Sequence, residues 1–279
     1  MSTSTLTPAG PRTQPPPRNT WVSTLITVSG AIAIVVLVLG AVLTGLRAQG
    51  TGESLHTANA DGVTTLDLRV SGVQMDVVFG ETDEATLDVE TTGWFDMNRW
   101  RLERQGSDTL RVSNNQGFSF WPRWGSDRVL ATLTLPAELE GRLDSRLDLS
   151  AGSLEMMGDV QDLDISVAAG SLTFEGASTA LSVDVAAGEA FVATADPHSV
   201  AIDISAGRSV TTISGQAPSS STLSVSAGDA ILRVPDEEYN VTGSASAGTR
   251  TIDVRTNSAS PYAMDVDVSA GSAVVRYVD

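Results

Sequence analysis

Apolar residues are distributed along this chain in two different ways. Between Thr20 and Leu46 they run together without one charged residue, and Ile32 to Leu39 is almost wholly Ile, Val and Leu. A helix of about 20 apolar residues crosses the hydrocarbon core of a bilayer, so residues 21–46 are predicted to form a single transmembrane helix. Beyond residue 140 the apolar residues alternate with polar ones instead, in short bursts broken by Ala-Gly. Alternation with period two marks a strand that buries one face.

The bursts repeat. LDLSAGSLEM (147–156) returns as ISVAAGSLTF (165–174), VDVAAGEAFV (183–192), IDISAGRSVT (202–211), LSVSAGDAIL (223–232), GSASAGTRTI (243–252) and VDVSAGSAVV (266–275). The alanines of the Ala-Gly pairs fall at 151, 169, 187, 206, 227, 247 and 270, at spacings of 18, 18, 19, 21, 20 and 23 residues. A nearly constant period of this length is the signature of a stacked array. Four and two residues before the Ala stand pairs such as Leu147/Leu149, Ile165/Val167, Val183/Val185 and Ile202/Ile204, predicted to face inward. A second short strand follows the bend, with Leu154/Met156, Leu172/Phe174, Ala190/Val192, Ala230/Leu232 and Ala273/Val275 as inward candidates. Gly at the bend permits a sharp turn or a close approach of neighbouring coils. Two or three short strands per turn make an all-β, single parallel β-solenoid (β-helix-like), with equivalent residues about 4.8 Å apart from coil to coil. A helical repeat is excluded, because Gly, Ser and Val dominate and no 3.6-residue period appears.

The repeats are not uniform. The unit at 243–252 has Gly243 and Ala245 where others carry Val or Ile, which predicts a thinner, less stable coil. Residues 62–140 are less regular. TLDLRVSGVQMDVVFG (65–80) is a divergent unit bending at Ser71-Gly72, WRLERQGSDTLRVSNN (100–115) a hairpin turning at Gly106 to Asp108, and VLATLTLP (129–136) a strand stopped by Pro136. A solenoid must cover its open ends. Residues 62–140 are therefore expected as the irregular N-terminal cap, 141–279 as the regular repeats, and the final coil with Tyr277 as the C-terminal end.

The flanks of the apolar run set its meaning. Trp21 suits a membrane interface. A cleaved signal peptide is the competing reading, but its apolar core is normally ~7–15 residues, and Leu46-Arg47-Ala48 is a poor cleavage site. Arg12 and Arg18 precede the run without any acid, whereas Arg47, then Glu53 and Asp61, follow it. The positive-inside rule then puts residues 1–20 in the cytoplasm, as a disordered Pro-, Ser- and Thr-rich tail, and the C-terminal domain outside the cell membrane, after a linker over 47–61. Ala41 and Gly45 form a small-xxx-small pair that suits a homo-oligomer, a weak and common signal.

Charge narrows the partners. All 34 acidic residues lie beyond Gly50 with 14 of the 17 basic residues, a formal charge of −20 for that part. Such a surface repels phosphate backbones, so no nucleic acid is expected as a partner. Every basic residue is Arg, a trace of a GC-rich bacterial genome, and the absence of Cys removes disulfides and thiol chemistry.

A membrane helix, a TLTLP strand and repeated S-A-G strand units together resemble the bacterial β-strand-repeat family labelled "putative adhesin", a family of unknown function with toastrack-like solenoid ectodomains. The resemblance spans about residues 60–279. It implies surface binding with no defined ligand, and it supplies no catalytic residues.

Little else points to chemistry. His56 and His198 are the only histidines and neither has a spaced partner, so no metal and no cofactor is expected. No G-x-S-x-G, P-loop or H-E-x-x-H occurs, and the serines fit turns better than nucleophiles. Asp184 and Asp203 occupy equivalent places in successive units, with Asp148 and Asp267 in the same column. Stacked carboxylates can recruit Ca²⁺, but Ser166, Ser224 and Ser244 break the column, which favours a solvated acidic face. The sharper candidate is aromatic. Trp94, Trp100, Phe118, Phe120, Trp121, Arg123 and Trp124 crowd one window, residue types enriched at recognition surfaces. They form either a hydrophobic plug over the first coil or a partner-binding surface for a protein or cell-wall polymer. The expected function is a non-enzymatic, membrane-anchored cell-surface module, with an envelope-stress or signalling accessory as the alternative.

Overall fold

The computed structural model describes residues 51–92, 100–114 and 128–278, all within one compact unit, Gly50–Asp279. The segment expected to cross the membrane lies outside these residues. Among the described residues no helix is long and apolar enough to do so.

The described chain is all-β. In chain order the strands are β1 (Thr51–Asn59), β2 (Thr65–Gly80), β3 (Glu84–Thr92), β4 (Trp100–Gln105), β5 (Thr109–Asn114), β6 (Arg128–Pro136) and β7 (Asp144–Met157). They continue as β8 (Asp162–Val167), β9 (Ser171–Ala177), β10 (Ala180–Val185), β11 (Glu189–Ala195), β12 (Ser199–Ile204), β13 (Arg208–Ser214), β14 (Ser220–Val225) and β15 (Asp229–Val234). The last four are β16 (Asn240–Thr242), β17 (Thr249–Asp253), β18 (Ala263–Val268) and β19 (Ser272–Tyr277). Each regular coil contributes two strands, one on either side of the Ala-Gly bend. β2 and β7 run through their bends, so their halves serve both roles.

Two parallel ladders result. The first, here face A, joins the strands before the bend in the order β5, β2, β7, β8, β10, β12, β14, β18, β16. The second, face B, joins those after it in the order β6, β2, β7, β9, β11, β13, β15, β19, β17. Alternate residues of both ladders bury into one core. Leu163, Ile165 and Val167 come from β8, and Leu172 and Phe174 from β9, all at most 2% exposed. Some polar residues on inward positions bond each other, as Ser209 with Thr211 and Ser178 with Thr194, whereas the buried hydroxyls of Ser145 and Ser221 have no partner among the described residues.

The bend is held by a column of glycines. A Cβ placed on Gly170 would strike the carbonyl oxygen of Gly152. Gly188 meets that of Gly170, Gly207 that of Gly188, Gly228 that of Gly207, Gly271 that of Gly228, and Gly248 that of Gly271. Backbone bonds run alongside, from Ala187 N–H to the Ala168 oxygen at 3.1 Å and from Ala206 N–H to that of Ala186 at 2.8 Å. Close approach, common to every member, is what demands Gly here.

Both ladders depart from chain order at their ends. The last coil in sequence, β18–β19, lies between the β14–β15 coil and the β16–β17 coil. The expectation that the coil with Tyr277 closes the array is therefore corrected: the degenerate unit closes it. Arg250 of that unit stands in register with the inward Ala273, while Gly243 and Ala245 offer little to bury. Between two coils this unit would leave a cavity and enclose a guanidinium. At the end it faces water. The three tyrosines lie at this end. Tyr239 is fully buried with its hydroxyl donating to the Pro235 oxygen, and Arg255 lies over the Tyr277 ring.

At the opposite end β2 is covered by the β5–β6 coil, although that coil follows it in sequence. Antiparallel strands then extend both ladders, β4 on β5, β3 on β6 and β1 on β3. Residues 51–59, inside the stretch expected as a linker, are thus the strand β1, and His56 stands within it.

Candidate functional site

The bend of the outermost N-terminal coil differs from the others. Where a regular coil crosses from face A to face B in three residues, β5 reaches β6 through 115–127. In the antiparallel layer outside it, 93–99 carries the chain from β3 to β4. Thr92 is the register partner of Arg128, and Trp100 that of Asn114. The described residues that flank both segments therefore meet at the same corner. The two segments hold Trp94, Phe118, Phe120, Trp121, Arg123 and Trp124, which lie outside the described residues. Of the seven candidates only Trp100 is described, and at 6% exposure it belongs to the core.

Asn114 was not picked out from the sequence, and it anchors this corner. Its side-chain oxygen accepts from the Ser71 N–H at 2.8 Å, and its amide donates to the Ser71 carbonyl at 2.9 Å. Its carboxamide thus supplies the donor and acceptor that a backbone amide supplies at the regular bends. Only its place at the end of a strand hinted at this.

Beside the corner, on the outward side of face A, lies a ladder of ion pairs. Asp67, with a side chain only 8% exposed, is bridged by Arg111 at 2.6 Å and by Arg69 at 3.0 Å. Arg69 and Arg146 each reach Asp148 at 3.6 Å, and Arg146 reaches Asp164 at 3.8 Å. Burial works to raise the Asp67 carboxyl, but the hydrogen bonds from Arg111 and Arg69 outweigh it and hold the group below its ordinary value. Asp148, expected as the start of an acidic column, is thereby paired with arginine. Asp184 and Asp203 are register partners as expected, both exposed, with Ser166 and Ser224 on either side. Among the described residues no three His, Asp or Glu side chains come close enough to hold a metal. His198 lies in a turn, 3.3 Å from the Ser219 hydroxyl.

Two hollows lie on the described surface. A groove of about 600 Å³ crosses face A, floored by Ala180, Ser182, Ala201 and Thr222, with Arg146 and Asp164 at one end. A second, of about 650 Å³, is lined by Asp61, Glu81, Asp83, Glu84 and Glu138 and is strongly acidic.

The fold and its surfaces define a parallel β-solenoid with two strands per coil. No family model and no curated protein matches the chain. Among solved structures it is similar to a "putative cell adhesion protein" from Clostridium sporogenes ATCC 15579, at 11% identity and a TM-score of 0.39, over 82% of this chain and 100% of that one. It is also similar to a "putative adhesin" from Parabacteroides distasonis ATCC 8503, at 11% identity and a TM-score of 0.43, over 81% of this chain and 97% of the other. A third, a "putative adhesin" from Parabacteroides merdae ATCC 43184, matches at 10% identity and a TM-score of 0.40, over 81% and 96%. At such values function rests on this chain's own residues.

Proposed function

We propose that this protein is a non-catalytic cell-surface binding module, anchored by residues 21–46, whose β-solenoid presents the aromatic and arginine side chains of 93–99 and 115–127 as one recognition surface. The register of Thr92 with Arg128 and of Trp100 with Asn114 carries this reading, since it ties both segments to one corner. The ligand class that suits these residues is a partner protein or a cell-wall polymer, bound by ring stacking and guanidinium contacts. A non-catalytic role is supported by the ion pairs beside the corner, where Asp67, Asp148 and Asp164 are engaged by arginines. The solenoid itself acts as a stiff support.

The test compares the full chain with its Trp121→Ala/Trp124→Ala variant in pull-downs from the cell envelope. Loss of a recovered component by about tenfold, or some 1.4 kcal/mol, is expected for removal of two aromatic anchors. Unchanged recovery with an intact β spectrum refutes the role of the corner. Topology is tested separately, because the chain has no Cys. On intact cells an impermeant maleimide is expected to label Ser258→Cys and to leave Ser4→Cys unlabelled. The reverse pattern contradicts the orientation.

A further inference from the structure

The outward sides of the two faces differ in relief. On face B, Phe191, Val210, Ile231 and Val274 are register partners on four adjacent strands and form an apolar ridge, with Phe191 38% exposed. Two residues further along their strands stand Arg233 and Arg276, themselves register partners. Neither makes an ion pair among the described residues, although Arg233 donates to the Thr212 hydroxyl at 3.5 Å and Arg276 stands in register with Asp253 on β17. Two guanidinium groups on neighbouring strands, about 4.8 Å apart, repel one another, and the single Asp253 flanking Arg276 leaves the column with one positive charge in excess.

Face A carries the counterpart. Small side chains, among them Ser182, Ala201 and Thr222, floor the groove of about 600 Å³. Two residues beyond Ser182 and Ala201 stand Asp184 and Asp203, exposed, on neighbouring strands, and likewise outside any ion pair among the described residues.

We propose that these two faces bind each other between copies of the chain, the ridge of one copy entering the groove of the next with Arg233 and Arg276 set against Asp184 and Asp203. The spacings match in both directions. Along the strand the charged pair follows the relief by two residues on each face, about 7 Å, and across strands both pairs are one strand apart, about 4.8 Å. Ridge and charges come into register together when the strands of the two faces run the same way. The contact is heterologous, so a bound pair keeps one free face of each kind and association continues into rows or a ring. It is independent of the aromatic corner and of what that corner binds.

The absence of Cys gives the test a clean background. Full-length Ser182→Cys and Ile231→Cys variants, carrying different tags, are produced in the same cells and treated with a short bifunctional maleimide. A linked product bearing both tags is expected, with little product from either variant alone. No mixed product, or equal linking within one variant, overturns the proposal. Adding Asp184→Arg/Asp203→Arg to the Ser182→Cys chain is expected to lower the mixed product about tenfold or more. Adding Arg233→Asp/Arg276→Asp to the other chain is expected to restore it. Failure to restore it, with both chains folded, overturns the charge register.

Discussion

At Gly188 a single methyl group would meet the Gly170 carbonyl oxygen and the Val167 side chain at once. The φ there is not left-handed, so contact between coils, not backbone conformation, fixes the residue. Gly188→Ala is expected to cost about 1–3 kcal/mol through overpacking, read from the midpoint of urea unfolding. Ala187→Ser, at the exposed neighbour, should stay within about 0.5 kcal/mol. The sequence makes the Gly column visible by its spacing, but leaves open whether a tight turn or a close approach requires it. Asp67 is the other informative residue. Its carboxyl is depressed in the fold, so the stability it adds is present above its ordinary value and is lost as pH falls through the depressed one. Asp67→Asn should therefore destabilise at pH 7 by about 1.5–3 kcal/mol, the range for hydrogen bonds to charged groups. The gap from wild type should close on acidification below the ordinary carboxylate range. A gap independent of pH would show that the ion pairs with Arg111 and Arg69 contribute nothing.

Among the elements, β18 and β19 carry the feature that periodicity could not reveal. Val266, Val268, Ala273 and Val275 announce two good inward-facing strands, and their place last in the chain suggests an open end. Which coil a strand pair stacks on is a separate matter, decided by burial. β18 and β19 can be covered on both sides, whereas β16 and β17, with Gly243, Ala245 and Arg250, cannot be enclosed without loss. Hydrogen exchange distinguishes the two orders. Amides of β18 and β19 should be protected about as well as those of β14 and β15, and β16 and β17 should exchange first. Protection falling steadily toward the C-terminus would instead indicate stacking in chain order. The same logic applies to β2, whose divergence hid its place among the regular coils.

For the molecule as a whole, repeat period, inward residues and all-β class were legible because each coil repeats one local pattern of alternation and bend. The order of coils at the two ends was not, since it depends on which coil can be covered on both sides, a matter of contacts between segments rather than of the pattern within any one. The role of Trp100 was illegible for a similar reason: an aromatic residue reads alike whether it plugs a core or faces a ligand, and only burial separates the two. The central structural claim is the out-of-order stacking at the C-terminal end, and two paired cysteine variants test it most directly. Ser224 and Asp267 are register partners on β14 and β18, whereas Ser244 hydrogen-bonds Asp267 from the far side of β18. Neighbouring parallel strands at about 4.8 Å lie within disulfide reach and strands twice as far apart do not. On oxidation, Ser224→Cys/Asp267→Cys should form an intramolecular disulfide and Ser224→Cys/Ser244→Cys should not. A disulfide in the second variant and none in the first would mean that the coils stack in the order of the chain, and would contradict the account.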